Sequence, residues 1–251
     1  MYNTMEMFGM DGKVIVVTGG TKGIGKEIAL ALNELNAKVI AFGSTENSVN
    51  TAKKDMPGIN IMRVDVADEQ SVSEAAKVIE EKYGRVDGLV NCAGIQSLAY
   101  CLDFDIDEFN RILNVNVTGS MICAKHFGRI MEKQQKGRIV NCSSVRSYQG
   151  KPGYSAYATS KGAINNLTRS LAVELAQKGI TVNAFAPCFV KTELAKELDD
   201  PVKCAGIVSR IPMGRLGLAQ DMVGPVVFLL SDCSAFVTGT VLSVDGGWIA
   251  G

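Results

Sequence analysis

Histidine, long apolar runs and net charge are what this chain has least of. Its 251 residues include a single histidine, His126, and 26 basic residues are balanced by 26 acidic ones. A Ser-His-Asp triad would have to use this one histidine, so we do not expect that mechanism. Zero net charge provides no general attraction for nucleic acid or an anionic membrane. No apolar stretch reaches the roughly 20 residues that cross a bilayer. We expect a protein with neither nucleic-acid nor membrane partners.

Cysteine pairs are also missing. Seven cysteines occur without a Cys-x-x-Cys motif, at positions 92, 101, 123, 142, 188, 204 and 233. Because a metal site needs three or four clustered ligands, we expect no metal, and the spacing is typical of reduced, mostly buried thiols. Residues 1–10 have neither the basic start nor the apolar segment of an export signal. We therefore expect a soluble, cytoplasmic protein. We also expect that His126, which lies in a predicted helix, is structural or lies at an interface.

Apolar, β-branched runs alternate with segments of helical periodicity, and this alternation predicts the fold. Strands are predicted at 13–18, 37–42, 59–65, 87–91, 138–142, 180–185 and 240–245. Alternating strands and helices favour parallel pairing with right-handed crossovers. The prediction is an α/β protein: a single Rossmann-type domain over 1–251 with a doubly wound parallel sheet of about seven strands and helices on both faces. Ligands of such sheets bind beyond the carboxyl ends of the strands.

A glycine-rich turn follows the first predicted strand. Residues 18–25 read Thr-Gly-Gly-Thr-Lys-Gly-Ile-Gly, directly after Val14–Val17 and before a segment of helical spacing. Such a turn lets backbone amides approach a pyrophosphate at the positive end of a helix. It is not a P-loop, because no Gly-Lys-Ser/Thr follows. The alternative is a tight turn without a ligand.

Tyr157 and Lys161 are four residues apart, and Ser144 precedes the tyrosine by thirteen. On a helix this spacing places the ammonium beside the phenol. A fixed cation favours phenolate, so we predict a lowered pKa for Tyr157 and a role in proton exchange. Chance pairing on a helix is the alternative.

Ordered motifs along most of the chain, from about 12 to 247, resemble those of the short-chain dehydrogenase/reductase family. They are Thr-Gly-x-x-x-Gly-x-Gly at 18–25, Asp-Val at 65–66, Asn-Cys-Ala-Gly at 91–94, Asn-Val-Asn-Val at 114–117, Ser-Ser at 143–144, Tyr-x-x-x-Lys at 157–161, the segment 187–192, and Val-Asp-Gly-Gly at 244–247. The segments 211–217 and 227–230 are most similar to the branch that contains gluconate 5-dehydrogenases and 3-oxoacyl-carrier-protein reductases.

The resemblance implies a nicotinamide cofactor. The implied cofactor-binding residues are Gly19, Thr21, Lys22, Gly23, Ile24, Gly25, Ser44, Asp65, Val66, Asn91, Ala93, Gly94, Tyr157, Lys161, Pro187, Val190 and Thr192. No acid stands at the end of the second predicted strand, where a carboxylate would bind the ribose of NAD, and Ser44 and Lys22 suit a 2′-phosphate. We therefore favour NADP(H), while nearby Glu46 leaves NAD(H) open. A helix N-cap remains the alternative role for Asp65.

The resemblance also implies a catalytic set. Tyr157 would exchange a proton with the substrate, Lys161 would stabilise the phenolate and bind the ribose, and Ser144 would bind the carbonyl oxygen. Asn116 would hold a water that connects Lys161 to solvent. Ser143 competes with Ser144, although the spacing to Tyr157 favours Ser144. Two departures from the family pattern are Cys92, in place of asparagine, and Cys188, where glycine is usual.

The substrate is a ketone or secondary alcohol on this interpretation. Candidate substrate-binding residues are Ser144, Tyr157, Arg146, Gln149 and Gln96, with a substrate loop at about 191–216. A sugar acid, a 3-oxoacyl thioester and a hydroxysteroid all remain open. The alternative function is a nicotinamide-binding sensor or scaffold without turnover, which the complete catalytic set disfavours.

Two long helical segments, 109–131 and 156–175, carry more apolar residues than one buried stripe requires. The excess predicts self-association as a homodimer or homotetramer, and family members pair these same helices. The chain end near Trp248 is expected at a further interface.

Overall fold

The computed structural model describes residues 4–192 and 196–251, and its centre is a single parallel sheet. The seven strands are β1 Val14–Thr18, β2 Lys38–Gly43, β3 Asn60–Arg63, β4 Gly88–Asn91, β5 Gly137–Cys142, β6 Ile180–Pro187 and β7 Val241–Val244. Their order is β3-β2-β1-β4-β5-β6-β7, with all neighbours parallel. The predicted α/β doubly wound sheet is confirmed, and all strand boundaries agree within two residues; β3 ends two residues before Asp65.

Helices cover both faces of the sheet. They are α1 Thr4–Phe8, α2 Gly23–Glu34, α3 Glu46–Asp55, α4 Glu69–Tyr83, α5 Ile106–Leu113, α6 Gly119–Lys133, α7 Ser155–Leu175, α8 Pro201–Val208 and α9 Val223–Leu230. One face packs against α4, α6 and α7, and the other packs against α2, α3 and α9. Because neighbouring strand residues point to opposite faces, Val14 and Val16 of β1 enter the first core, while Ile15 and Val17 enter the second.

The region predicted as one helix from 109 to 131 has a different structure. A π-helical turn, Asn114–Thr118, connects α5 to α6. Such turns shift the register of the side chains that follow. Here the turn carries Asn116, one of the predicted catalytic residues.

The strand order reverses beside β1, which pairs with β2 on one side and β4 on the other. The crossover helices diverge at this point, so a crevice opens at the carboxyl ends of β1 and β4. Most of the predicted site residues lie around this crevice. Residues 193–195 of the predicted substrate loop lie outside the described residues; the loop continues as a 3₁₀ turn, Lys196–Asp199, and α8.

Candidate active site

A cavity of about 820 Å³ extends along the carboxyl edge of the sheet. Most of the predicted cofactor-binding residues line it, namely Gly19, Thr21, Lys22, Gly23, Ile24, Gly25, Ser44, Asp65, Val66, Ala93, Gly94, Tyr157, Lys161, Pro187, Val190 and Thr192. The structure therefore brings together residues that are spread over more than 170 positions of the sequence.

The glycine-rich turn forms the floor at one end of the cavity. Gly19 has a φ of +61°, and a Cβ atom there would lie 2.8 Å from the Cα of Ala93. A Cβ on Gly25 would lie 2.4 Å from the carbonyl oxygen of Gly19. The missing side chain at Gly19 lets the turn pack directly against the loop after β4, and the missing side chain at Gly25 lets α2 begin against the turn itself. Lys22 precedes α2 without a side-chain cap, so the first amides of α2 can meet an anion.

Hydroxyl groups surround the cavity beyond the end of β2. Ser44, Thr45 and Ser48 line it together with Lys22. Glu46 begins α3 on the exposed surface and lies outside this lining. Among the lining residues that the structure describes, this end therefore has hydroxyl donors and one cation but no carboxylate.

Asp65 lies where the cavity passes β3. Its carboxylate accepts a hydrogen bond from the amide of Ala67 at 3.0 Å. Asp68, not Asp65, caps α4 by accepting from the amide of Gln70 at 3.0 Å. The alternative of a helix cap at Asp65 is therefore wrong, and its side chain is available at the cavity wall.

Asn91 differs from its prediction as a cofactor-binding residue. Its side chain is buried and donates to the Oδ1 atom of Asn141 at 2.9 Å, outside the lining of the cavity. Asn141 in turn donates to Thr168 on α7 at 3.0 Å. The alternation of strand residues explains this placement, since Asn91 points to the opposite face from Cys92, which does line the cavity. Asn91 thus connects the carboxyl end of β4, through Asn141 of β5, to α7.

Tyr157, Ser144 and Lys161 meet at the other end of the cavity. The phenol of Tyr157 is hydrogen bonded to Ser144, and the Lys161 ammonium lies 5.5 Å from the centre of the tyrosine ring. Lys161 also donates to the carbonyl oxygen of Cys142 at 2.7 Å. One helix, α7, provides the phenol and the ammonium, while the segment after β5 provides the hydroxyl.

Burial controls the protonation of this group. It raises the pKa of Tyr157 above its ordinary value, and this effect outweighs the opposing influence of Lys161 and of the bond to Ser144. The predicted lowering of this pKa is therefore wrong for the protein chain. Burial also disfavours the charge on Lys161, but the nearby phenol and the thiols of Cys142 and Cys92 raise its pKa overall. At neutral pH the site thus holds a protonated phenol beside an ammonium.

Asn116 is buried beside Lys161 and fastens a loop. Its amide donates to the carbonyl of Ile95 at 3.0 Å, and its oxygen accepts from the amide of Ile95 at 2.8 Å. A second donated bond joins it to Ser160 at 3.0 Å. A Cβ on Gly94 would lie 3.4 Å from the Asn116 oxygen and 3.8 Å from the Lys161 ammonium. The side-chain amide therefore positions residues 94 and 95 against the lysine.

Ser143 turns away from Tyr157. Its hydroxyl is bonded to Asn165 on α7, and the residue is buried. Ser144 remains beside the phenol, in agreement with the spacing argument. Cys188 raises no difficulty for the backbone, because positive φ values among the described non-glycine residues occur at Asn36 and Gln135.

The predicted substrate residues divide into two groups. Arg146 and Gln96 line the cavity, as do Ser144 and Tyr157. Gln149 does not, because its side-chain oxygen accepts a hydrogen bond from the indole of Trp248 at 2.8 Å. The prediction of Gln149 as a substrate residue is therefore corrected to a support for Trp248.

Three aromatic residues that the sequence analysis did not predict as part of the site surround Arg146. Its guanidinium lies 5.6 Å from the ring of Tyr154, 5.3 Å from Phe189 and 5.7 Å from Trp248. Trp248 is buried within its own chain at 4% exposure, and the interface expected near this end of the chain stays a prediction. Only Tyr154 had a local signal, since it lies one helical turn before Tyr157.

The described part of the chain has neither a cluster of metal ligands nor a membrane-spanning helix. Residues 4–192 and 196–251 contain no group of three or more histidine, cysteine or acidic side chains placed to hold a metal ion. Within those ranges no helix has the length and apolar character to cross a bilayer. His126 is bonded to Glu69 at 3.1 Å on the outer surface of α6, away from the cavity.

The doubly wound sheet, the glycine-rich turn and the tyrosine-lysine pair define a dinucleotide-binding oxidoreductase. Residues 19–249 match the family model described as "Enoyl-(Acyl carrier protein) reductase". The chain belongs to the short-chain dehydrogenase/reductase family. The predictions of the family and of an oxidoreductase are confirmed.

Individual relatives agree with the predicted branch. The chain is 35% identical to a 2-dehydro-3-deoxy-D-gluconate 5-dehydrogenase of Pseudoalteromonas atlantica, over 98% of this chain and 99% of that one. It is 38% identical to a 3-oxoacyl-carrier-protein reductase of Escherichia coli, over 94% and 97% of the two chains. A gluconate 5-dehydrogenase of Burkholderia cenocepacia, solved in complex with NADP and tartrate, superposes with a TM-score of 0.93 at 31% identity, over 99% and 100%.

Proposed function

We propose that the protein is an NADP(H)-dependent oxidoreductase that interconverts a ketone and a secondary alcohol, and that its substrate is a sugar acid. The observation that carries the reaction class is the meeting of Tyr157, Ser144 and Lys161 at the end of the cavity that begins at the glycine-rich turn. A protonated phenol beside a hydroxyl donor is suited to a carbonyl oxygen that gains negative charge.

The cavity suits a dinucleotide phosphate. The close approach of Gly19 to Ala93 and the uncapped start of α2 leave room and amide donors for a pyrophosphate. Ser44, Thr45 and Lys22 provide donors for a 2′-phosphate. The Burkholderia cenocepacia relative was solved with NADP, which supports the same choice. When bound, the cofactor supplies the hydride.

Each catalytic residue has a role in this proposal. Tyr157 gives its proton to the substrate oxygen during reduction and takes it back during oxidation. Ser144 donates a hydrogen bond to that oxygen. Lys161 keeps positive charge beside the phenol, which stabilises the phenolate left after proton transfer. Asn116, through its two bonds to Ile95, holds the loop against Lys161.

A sugar acid is favoured by the side of the cavity beyond Ser144. Arg146 is two residues from Ser144, lines the cavity and is only 7% exposed. Its planar cation lies among aromatic rings, which fix its position, and a guanidinium is the side chain that binds a planar carboxylate through two parallel hydrogen bonds. Gln96 adds an amide to the lining. The tartrate in the Burkholderia cenocepacia structure is also a hydroxy acid.

A substrate panel tests the proposal. We expect NADPH-dependent reduction of keto sugar acids with higher kcat/KM than of the matching neutral keto sugars, 3-oxoacyl thioesters or oxosteroids. Replacing Arg146 with Gln should raise KM for the acid about 10- to 100-fold, which is the effect of losing a charge-assisted bond, with little change for a neutral ketone. Preference for the thioester, with no effect of Arg146→Gln on the acid, would refute the sugar-acid assignment.

Assembly and location are further parts of the proposal. Of the apolar residues that motivated self-association, Ile112, Ile122, Ile164 and Leu171 are buried within the chain, whereas Met121 is 41% exposed. Val173 on α7 is 81% exposed. A homodimer or homotetramer would cover these helices. The seven cysteines are free thiols, which supports a reducing compartment such as the cytoplasm.

A further inference from the structure

Two cysteines lie side by side in the wall of the cavity. Asn91, the last residue of β4, is in register with Asn141 of β5. Cys92 directly follows β4, and Cys142 is the last residue of β5. Adjacent strands are about 4.8 Å apart, and residues in register point to the same face. This separation is within the Cα range of about 4.4–6.8 Å that a disulfide spans. Both thiols are half-buried and line the cavity, so a small solute can reach them.

The two thiols interact with each other and with the catalytic lysine. Hydrogen bonding between them lowers the pKa of Cys142 to about 7, against the effect of burial, and the charge of Lys161 acts in the same direction. The same bond, together with burial, raises the pKa of Cys92. Near neutral pH the Cys142 sulfur is therefore partly a thiolate while the Cys92 sulfur stays a thiol, an arrangement that favours reaction with an electrophile followed by capture.

Other thiols lack this combination. Burial alone raises the pKa of Cys123 to about 12, and burial is the main cause that raises the pKa of Cys188 to about 11. Cys101 is exposed, in the 3₁₀ turn Cys101–Asp103, and does not line the cavity. Reactivity should therefore be concentrated at Cys142.

We propose that Cys92 and Cys142 are a redox modification site. A hydroperoxide oxidises the two thiols to a reversible disulfide between them, and this disulfide stops turnover. The Cys142 thiolate attacks the peroxide, the O–O bond breaks, and sulfenic acid forms with release of water or an alcohol. The Cys92 thiol then attacks that sulfur, a second water leaves, and the S–S bond forms. The thiols lose two electrons and the peroxide gains two.

Loss of turnover follows from what the two residues hold. The carbonyl of Cys142 accepts the hydrogen bond of Lys161 at 2.7 Å, and Cys92 precedes Ala93 and Gly94, which form the cavity wall beside that lysine. Drawing the sulfurs from hydrogen-bond contact to about 2.05 Å must shift one or both segments. A displacement of about 1 Å at a catalytic group can reduce turnover about 100-fold.

Peptide mapping of the whole protein treated with hydrogen peroxide tests the proposal without needing the natural substrate. After alkylation of free thiols, we expect a linked pair of peptides that contain Cys92 and Cys142, which separates on reduction with dithiothreitol. Cys101→Ser serves as the matched control and should still form the link. Cys92→Ser and Cys142→Ser should not, and Cys92→Ala provides a second variant if the serine destabilises the fold.

Activity on any ketone that the enzyme reduces gives the second measurement. Excess peroxide should lower kcat of the unmodified enzyme and of Cys101→Ser at least tenfold, with recovery after dithiothreitol. Recovery should be lost in Cys92→Ser, because a second peroxide oxidises the uncaptured sulfenic acid of Cys142 to sulfinic acid, which dithiothreitol does not reduce. Absence of the linked peptides would overturn the proposal. So would a link that forms without loss of turnover, and both results would leave the substrate assignment unaffected.

Discussion

Replacing Gly19 with alanine tests whether close approach of the turn to the loop after β4 builds the cofactor site. The added Cβ would lie 2.8 Å from the Cα of Ala93, whereas ordinary contacts begin at 3.4 Å. The turn or the loop must therefore move by about 0.6 Å, because the nearest atoms that the Cβ would meet are backbone atoms of Ala93 and Cys92. We expect overpacking to cost about 1–3 kcal/mol, beyond the effect of a positive φ.

Gly12→Ala is the matched control. Gly12 has a φ of +68°, close to the +61° of Gly19, but a Cβ there has nothing within 4 Å. Alanine should cost about 1–2 kcal/mol at either position because of the left-handed conformation alone. The difference between the two variants therefore isolates the contact with Ala93.

Urea unfolding and NADPH fluorescence titration are the measurements. Gly12→Ala should lose about 1–2 kcal/mol of stability and keep the Kd for NADPH. Gly19→Ala should be less stable still, and its Kd should rise about tenfold or more because the amides of the turn are displaced. If the two variants have the same stability and the same Kd, the close approach is not what builds this part of the site.

Further predictions concern protons, the cofactor and assembly. Tyr157→Phe should reduce kcat about 100- to 10,000-fold with the Kd for NADPH nearly unchanged, while Ser143→Ala, whose hydroxyl bonds to Asn165, should keep turnover. Because burial raises the pKa of Tyr157 above its ordinary value, its proton is present below that pKa, so kcat/KM for reduction should hold through neutral pH and fall only above the ordinary range of a tyrosine; a fall near neutral pH would contradict this. NADPH should be preferred over NADH, and Lys22→Ala should shrink that preference with little change for NADH. Light scattering at micromolar concentration should give a multiple of the 26.8 kDa chain mass; the mass of one chain would contradict self-association.

The framework of the fold was predictable because its signals are local. Each strand is a short apolar, β-branched run. The glycine-rich turn over Thr18–Gly25 predicts both the end of β1 and the start of α2. The pairing of Tyr157 with Lys161 follows from one helical turn. These features needed no knowledge of which segments meet in space.

The errors arise where tertiary contacts decide. The π-helical turn at 114–118 has no periodicity signal that distinguishes it from continuous helix. Gln149 and Asn91 are polar residues next to predicted site residues, yet hydrogen bonds to Trp248 and Asn141 turn them elsewhere. The pKa of Tyr157 depends on how deeply the phenol is buried, which the spacing of the motif does not contain.

The two ends of the cavity differ in how the chain builds them. The cofactor end comes from consecutive strand-to-helix turns, so a shared set of short motifs is enough to specify it. The end that we propose for the substrate places Arg146 against Phe189 and Trp248, residues more than 40 and 100 positions away in the sequence. Trp248 is in turn held by Gln149. Substitutions in any of these segments change the shape around the substrate without disturbing the phenol or the glycine-rich turn, and relatives with common motifs can therefore act on different ketones.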